Sequence, residues 1–305
     1  MRIFYGISPI ISNSLRKSID VTDICLSKLT KNNIIDIPTN DFIRASYFTD
    51  PFIGISKNIF IVMNDIVHEV SEHTQLLINT LTHEMCYRNQ NSIDKKLRNV
   101  HSKLNINHGD LMDELPEQKM AVRYLTGTEK VLEIGGNIGR NSLVIASILQ
   151  EASNLVTLET SPDIARQLKE NRDLNNLNFH IENSALSNRK LIQIGWDTIP
   201  SEVLLPGYQW VNTIGLNELK SKYNIEFDTL VLDCEGAFYY ILMDMPEILT
   251  TIDLIIMEND YHDVSKKEHV DKILTEHNFH RHYVEGGGWG PCYNNFFEVW
   301  KKYSN

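Results

Sequence analysis

The sequence predicts an α/β fold: an open, mostly parallel sheet preceded by a small β-rich unit. Three observations carry this. In Glu129-Lys-Val-Leu-Glu-Ile-Gly-Gly-Asn-Ile-Gly-Arg-Asn-Ser142, the apolar run Val131, Leu132, Ile134 is broken by Gly135, Gly136 and Gly139, and apolar residues then run from Leu143 to Leu149. That pattern is a buried strand, a glycine turn and a helix buried on most of its surface. From residue 129 onward, short apolar runs alternate with helical periodicity, which calls for a parallel sheet. Residues 1–70 instead hold short β-favouring runs separated by turn residues.

Composition narrows the functional class. The chain has 305 residues, 42% of them apolar and 23% charged, enough for a sizeable core and too ordinary for a disordered chain. A net charge of −11 argues against a binder of duplex nucleic acid, which needs a concentrated basic face. Cys25, Cys86, Cys234 and Cys292 are far apart with no Cys-x-x-Cys pair, so neither a zinc site nor a disulfide framework is expected. The start, Met1-Arg-Ile-Phe-Tyr-Gly-Ile-Ser, lacks a basic-then-apolar signal pattern. No apolar run approaches the roughly 20 residues that span a bilayer. The expectation is a soluble, cytoplasmic protein with no membrane partner.

In chain order, Ile3–Ile7, Ser18–Val21, Asn33–Ile37 and Ile59–Met63 read as strands of a first domain, residues 1–70, with turns at Pro38, Asn40, Asp50-Pro51 and Gly54. Asp41, Arg44 and Asp50 read as an ion pair pinning a turn, or as a contact to an acceptor. Ile66, Val67, Val70, Leu76, Leu77, Leu81 and Met85 recur at three- and four-residue spacing, which predicts helix over 65–104 and a helical linker over 71–113. Residues 114–305 form the main domain. A polar Gly/Pro-punctuated stretch, Asn105–Pro116, enters a helix at Glu117–Leu125, whose Glu117 and Gln118 are candidates to touch a cofactor. Further strands are read at Leu155–Leu158, Asn178–Glu182, Phe227–Leu232 and Asp253–Met257, with a closing pair at Phe279–Glu285 and Phe296–Trp300. Ser161-Pro162 opens a helix, Leu191–Gly195 reads as an extra edge piece, and 196–217 as loop.

Carboxyl ends of such strands are where an open α/β sheet binds ligands. The turn is acid-x-Gly-x-x-x-Gly, Glu133 to Gly139, and not the Gly-x-Gly-x-x-Gly of dinucleotide folds. Glu159 ends the second strand, where a carboxylate accepts both ribose hydroxyls. Asp233-Cys-Glu-Gly236 ends the fourth; buried acids without partners are costly, so both read as pocket acids. If that strand continues, Asp233 and Glu235 face opposite ways and only one enters the cleft. Glu258 ends the fifth strand beside Asp233, with Asp260, Tyr261 and His262 beyond it. Trp289, in the Gly286–Pro291 turn, can stack on a sugar face or fill the sheet end.

Together, the Glu133-Ile-Gly-Gly-Asn-Ile-Gly139 turn, Glu159-Thr-Ser-Pro162, Asp233-Cys-Glu-Gly236 and Ile-Ile-Met-Glu258 resemble the FkbM-type family of S-adenosylmethionine (SAM) methyltransferases over roughly residues 114–301. Two positions depart from the common family pattern: Glu133 stands where Asp is usual, and Gly136 where Ala is common. The first 70 residues resemble leading segments of methyltransferase modules in glycan clusters of large DNA viruses, which would place the protein in host cytoplasm. The resemblance implies a Rossmann-like sheet of seven strands, the last antiparallel, and SAM-dependent O-methylation of a sugar hydroxyl. It implies SAM contacts from Glu133, Gly135, Gly136, Asn137, Gly139, Glu159, Thr160, Asn183, Ser184 and Asp233. The catalytic candidates are Asp233, the favoured base, with Glu235, Glu258 and His262. Asp260, Tyr261, His262 and Trp289 are candidates for binding the carbohydrate acceptor. Asp233, Glu258 and Asp260 offer oxygen ligands that would suit Mg²⁺, but the family pattern does not require a metal, and metal-free catalysis is expected. The competing readings are a non-catalytic SAM-fold module and a methyltransferase of RNA or small phenols. Oligomeric state stays open.

Overall fold

Four-residue runs with every side chain buried, Val131–Ile134, Leu155–Leu158 and Thr229–Leu232, form the middle of the main sheet, as strands covered on both faces must. The computed structural model describes residues 1–7, 18–64 and 66–303. Two compact units emerge. One takes Met1–Ile93 with Arg281–Tyr283 and Tyr303; the other takes Asp94–His280 and Val284–Lys302.

The first unit contains β1 (Arg2–Gly6), β2 (Ser18–Asp20), α1 (Thr22–Lys28), β3 (Thr30–Lys31), β4 (Ile34–Ile37), α2 (Asp41–Phe48), β5 (Asn58–Met63), β6 (Ile66–Val70), β7 (Gln75–Asn79) and β8 (Met85–Arg88). They make two four-stranded sheets, β2-β1-β5-β6 and β3-β4-β7-β8. The helix expected over 65–89 is therefore three strands, and helix begins only at α3 (Gln90–His101). The apolar spacing there straddled turns. Leu76 and Ile78 are fully buried at two-residue spacing, while Ile66 and Leu81 are 59% and 74% exposed, which no single buried helical stripe would allow. The ion that pins the Asp41/Asp50 turn is Lys57, at 3.0 and 2.8 Å. Arg44 lies buried in α2 and donates to the carbonyl oxygens of Pro38, Ser71 and Thr74.

The second unit continues with α4 (Leu115–Tyr124), β9 (Val131–Ile134), α5 (Arg140–Ile148), β10 (Leu155–Leu158), α6 (Pro162–Leu174), β11 (His180–Glu182), β12 (Ala185–Leu186), β13 (Leu191–Ile194), β14 (Asp197–Pro200), β15 (Gln209–Val211), β16 (Thr213–Ile214), α7 (Leu216–Tyr223), β17 (Thr229–Leu232), α8 (Phe238–Asp244), β18 (Leu254–Glu258), α9 (Val264–Glu276), β19 (Phe279–Glu285) and β20 (Phe297–Lys302). The main sheet has the order β11-β10-β9-β17-β18-β20-β19. Its first five strands are parallel and β20 runs antiparallel to β18. This is the expected seven-stranded, Rossmann-like sheet. The chain moves outward from β9 to β11, then returns to β17, so the switch in strand order falls between β9 and β17.

Leu191–Ile194 is not an edge piece of that sheet. It is the middle strand of a separate antiparallel sheet, β14-β13-β15, inside the stretch expected to be loop. Gly195 and Trp196 make the two-residue turn between paired Ile194 and Asp197, and Gly195 has φ +57°. Gly195 marks a hairpin turn, Pro200 ends β14 opposite Leu191, and Pro206 and Gly207 lie in the connection that carries the chain from β14 to β15 on the other side of β13. Among the described residues, no helix is long and apolar enough to cross a membrane.

Candidate active site

At the switch point the ends of β9 and β17 are pressed together. Gly135 has φ +94°, and a Cβ there would lie 1.6 Å from the carbonyl oxygen of Asp233. The Asp233 N–H donates to Ile134 O at 3.0 Å, and the Gly135 and Gly136 N–H groups both donate to Leu158 O. Only glycine fits this approach. The turn that follows leads into α5, and beside it opens a cavity of about 320 Å³, within the range of ligand sites.

Glu159 lies on one side of that cavity. Asn137 N–H donates to one of its carboxylate oxygens at 3.0 Å, and Ser161 N–H to the other at 2.8 Å. Two backbone donors fix the carboxylate and leave lone pairs for a diol. Burial raises its pKa, and those backbone bonds oppose the rise. Thr160, Ser184, Leu158 and Leu186 continue the same wall.

The floor is acidic. Asp233 follows β17, Glu258 ends the neighbouring β18, and Asp260 lies two residues on; their carboxylate oxygens lie within 4.8 Å of one another. Glu117 reaches them from α4 and shares a hydrogen bond with Glu258. Burial, then this bond and the Asp233 charge, pushes the Glu258 carboxyl up to about 12. Burial, then Asp260, holds Asp233 well above the usual carboxylate range. Burial, then Glu235, pushes Asp260 up to about 7. Burial and mutual repulsion thus disfavour charge on Asp233, Glu258 and Asp260 together, and a positively charged occupant would favour their ionised forms.

The structure brings Gly135, Asn137, Glu159, Thr160, Ser184, Asp233, Glu235, Glu258, Asp260 and Trp289 to one cavity. Both Asp233 and Glu235 line it: the strand stops at Leu232, and Glu235 turns left-handed with φ +50°, so strand alternation no longer governs the pair. Other expected residues sit elsewhere. Glu133 is buried behind the turn and accepts from Ser142 Oγ, while its neighbour Ile134 lines the cavity. Gly136 packs on Thr157, and Gly139 on Leu168. Asn183 ties the loop by donating to the carbonyl oxygens of Glu159 and Thr160. Tyr261 is buried outside the lining. His262 is exposed and packs on Trp289, ring centroids 4.5 Å apart. Gln118 is spent on the carbonyls of Leu111 and Asp113, whereas Glu117 does line the cavity. Trp196 and Thr198, not among the expected residues, also line it from the inserted β13–β15 sheet. A tryptophan beside Gly195 in a polar stretch was the available signal.

No family model matches the chain, and no curated protein does. Solved structures do. An O-methyltransferase from Bacillus cereus in complex with SAH is 16% identical over 70% of this chain and 92% of its own, with a TM-score of 0.41. The O-methyltransferase TomG from Streptomyces achromogenes, in complex with SAM, is 14% identical over 70% and 90%, with a TM-score of 0.42. An rRNA methylase from Streptococcus thermophilus is 10% identical over 61% and 94%, with a TM-score of 0.39. Likeness at this level carries nothing about the chemistry of the site, and the fold assignment stands on the strand order.

Proposed function

We propose that this chain is a SAM-dependent O-methyltransferase acting on a sugar hydroxyl of a glycan or glycoconjugate, in line with its FkbM-type motifs. The observation that carries the cofactor is Glu159, its carboxylate held by two backbone N–H groups at the wall of a cavity at the sheet's switch point. The turn at Gly135 fits the same group, since it lines the cavity with bare backbone. SAM, when bound, supplies a methyl group on a sulfonium centre, open to in-line attack by an oxygen.

The chain's own residues supply the rest. Glu159 accepts the ribose hydroxyls, and Leu158, Leu186 and Ile241 give apolar surface along the cavity. Trp289, packed on His262, offers a ring to an acceptor above the acidic floor. Holding a hydroxyl oxygen in line supplies much of the acceleration. A carboxylate of the floor that takes its proton adds roughly 10²–10⁴-fold. RNA is a poorer acceptor on charge: Arg189 is the one basic side chain among the lining residues, and it is paired with Asp244. Transfer of label from SAM to sugars, small phenols and RNA, compared side by side, tests the reading. Label in a sugar supports it; label in RNA or phenols alone, or in none, overturns it.

A further inference from the structure

We infer that Asp233, Glu258 and Asp260 form a site for one hard divalent cation of the Mg²⁺ class, with Glu117 as an adjacent oxygen donor. The inference departs from the metal-free expectation and deepens the reading of this cavity as the acceptor site, on which it rests.

Geometry comes first. The three ligand oxygens converge within 4.8 Å of one another. An octahedral shell with bonds of about 2.1 Å puts opposite corners about 4.2 Å apart and adjacent corners about 3.0 Å apart, so side-chain rotations that draw the oxygens in by about 1–2 Å close it. Two ligands are on firm supports: Asp233 and Glu258 stand at the ends of adjacent parallel strands, after paired Leu232 and Met257.

Unmet demand is the second, independent observation. Glu117, 8% exposed and carried by α4, has a buried carboxylate oxygen, Oε2, with no hydrogen-bond donor, and Asp260, 4% exposed, has the same at Oδ2. Both side chains line the cavity. Buried oxygens left without a donor are costly. No lining cation is free to serve them, since Arg189 is committed to Asp244. An all-oxygen set without His selects Mg²⁺, Ca²⁺ or Mn²⁺ over zinc. Three protein ligands leave positions open for the oxygens of a bound hydroxyl compound, and such a cation would fix the acceptor against the donor side of the cavity.

The test uses Mn²⁺ alone, with the whole chain and no SAM, read by the electron paramagnetic resonance of free Mn²⁺. The expected result is one Mn²⁺ bound per chain and displaced by Mg²⁺. Asp260→Asn should weaken this by about ten-fold or more, with circular dichroism showing the variant folded. Asp233→Asn, checked the same way, guards against a single misfolded variant. Absence of Mn²⁺ binding at millimolar concentration, or undiminished binding by both folded variants, overturns the site. So does a chain that ignores Mn²⁺ but loses SAM affinity on Asp260→Asn, which would assign these acids to the methionine ammonium. SAM binding measured separately in EDTA tells failure of this site from failure of the cofactor reading.

Discussion

A side-chain carbon on Gly135 would stand 1.6 Å from the carbonyl oxygen of Asp233. The first strand's turn and the fourth strand's acid are thus one piece of architecture. Gly135→Ala must move a backbone carbonyl and also hold a left-handed φ, at a cost of about 2–4 kcal/mol. Gly195 also has positive φ but nothing within 4 Å, so Gly195→Ala should cost only about 1 kcal/mol. Urea unfolding of both variants checks the contrast. Equal losses would show that the close approach is not what matters.

Glu133 makes stability depend on pH. Burial raises its carboxyl from 4.5 to about 7 in the folded chain. Between those values the folded chain holds a proton that the unfolded chain has released. The contribution is therefore whole below the unfolded pKa and lost as pH rises through about 7. Glu133→Gln should be the more stable protein at about pH 8, by on the order of 3 kcal/mol, with the gap closing towards about pH 5. Thermal unfolding across this range reads it directly, and a gap that widens on acidification would contradict the burial argument.

With Asp233 as the base of the proposed reaction, Asp233→Asn should leave SAM affinity within a few-fold and cut turnover by about 10²-fold or more. Steady-state kinetics with a sugar acceptor and calorimetry with SAM measure the two halves. Near-full turnover in Asp233→Asn beside its loss in His262→Ala would move the chemistry to the histidine.

Two tryptophans line the cavity from different loops, Trp196 at 57% exposure and Trp289 at 41%. Trp289→Ala should raise the acceptor's apparent KM by about ten-fold, as loss of an aromatic platform would, with SAM affinity unchanged. Trp196→Ala reports whether the inserted sheet shares that surface. A change in SAM affinity with acceptor KM unaltered would place the ring over the cofactor instead.

The sheet was legible because its strands are short apolar runs ended by acids and glycines, and strand ends decide where ligands bind. Glu159, Asp233 and Glu258 follow from that logic alone. The strands of 66–88 were not legible, since apolar residues counted across turns imitate a helical stripe. Nor was the β13–β15 sheet, whose one hairpin turn at Gly195 and Pro/Gly connection from β14 to β15 looked like unstructured punctuation. Glu133 and Asn183 were assigned to the cofactor by motif, yet side-chain direction turns one behind the strand and spends the other on backbone carbonyls. Glu235 enters the cavity through a left-handed backbone that alternation along a strand does not foresee.

On the proposed function, Glu159 holds SAM in this cavity. Calorimetry of the whole chain with SAM and, separately, with NAD tests it most directly. The expected result is one SAM bound per chain, no NAD bound, and a loss of about 1.5–3 kcal/mol of SAM affinity in Glu159→Ala. Tight NAD binding with no SAM binding would contradict it.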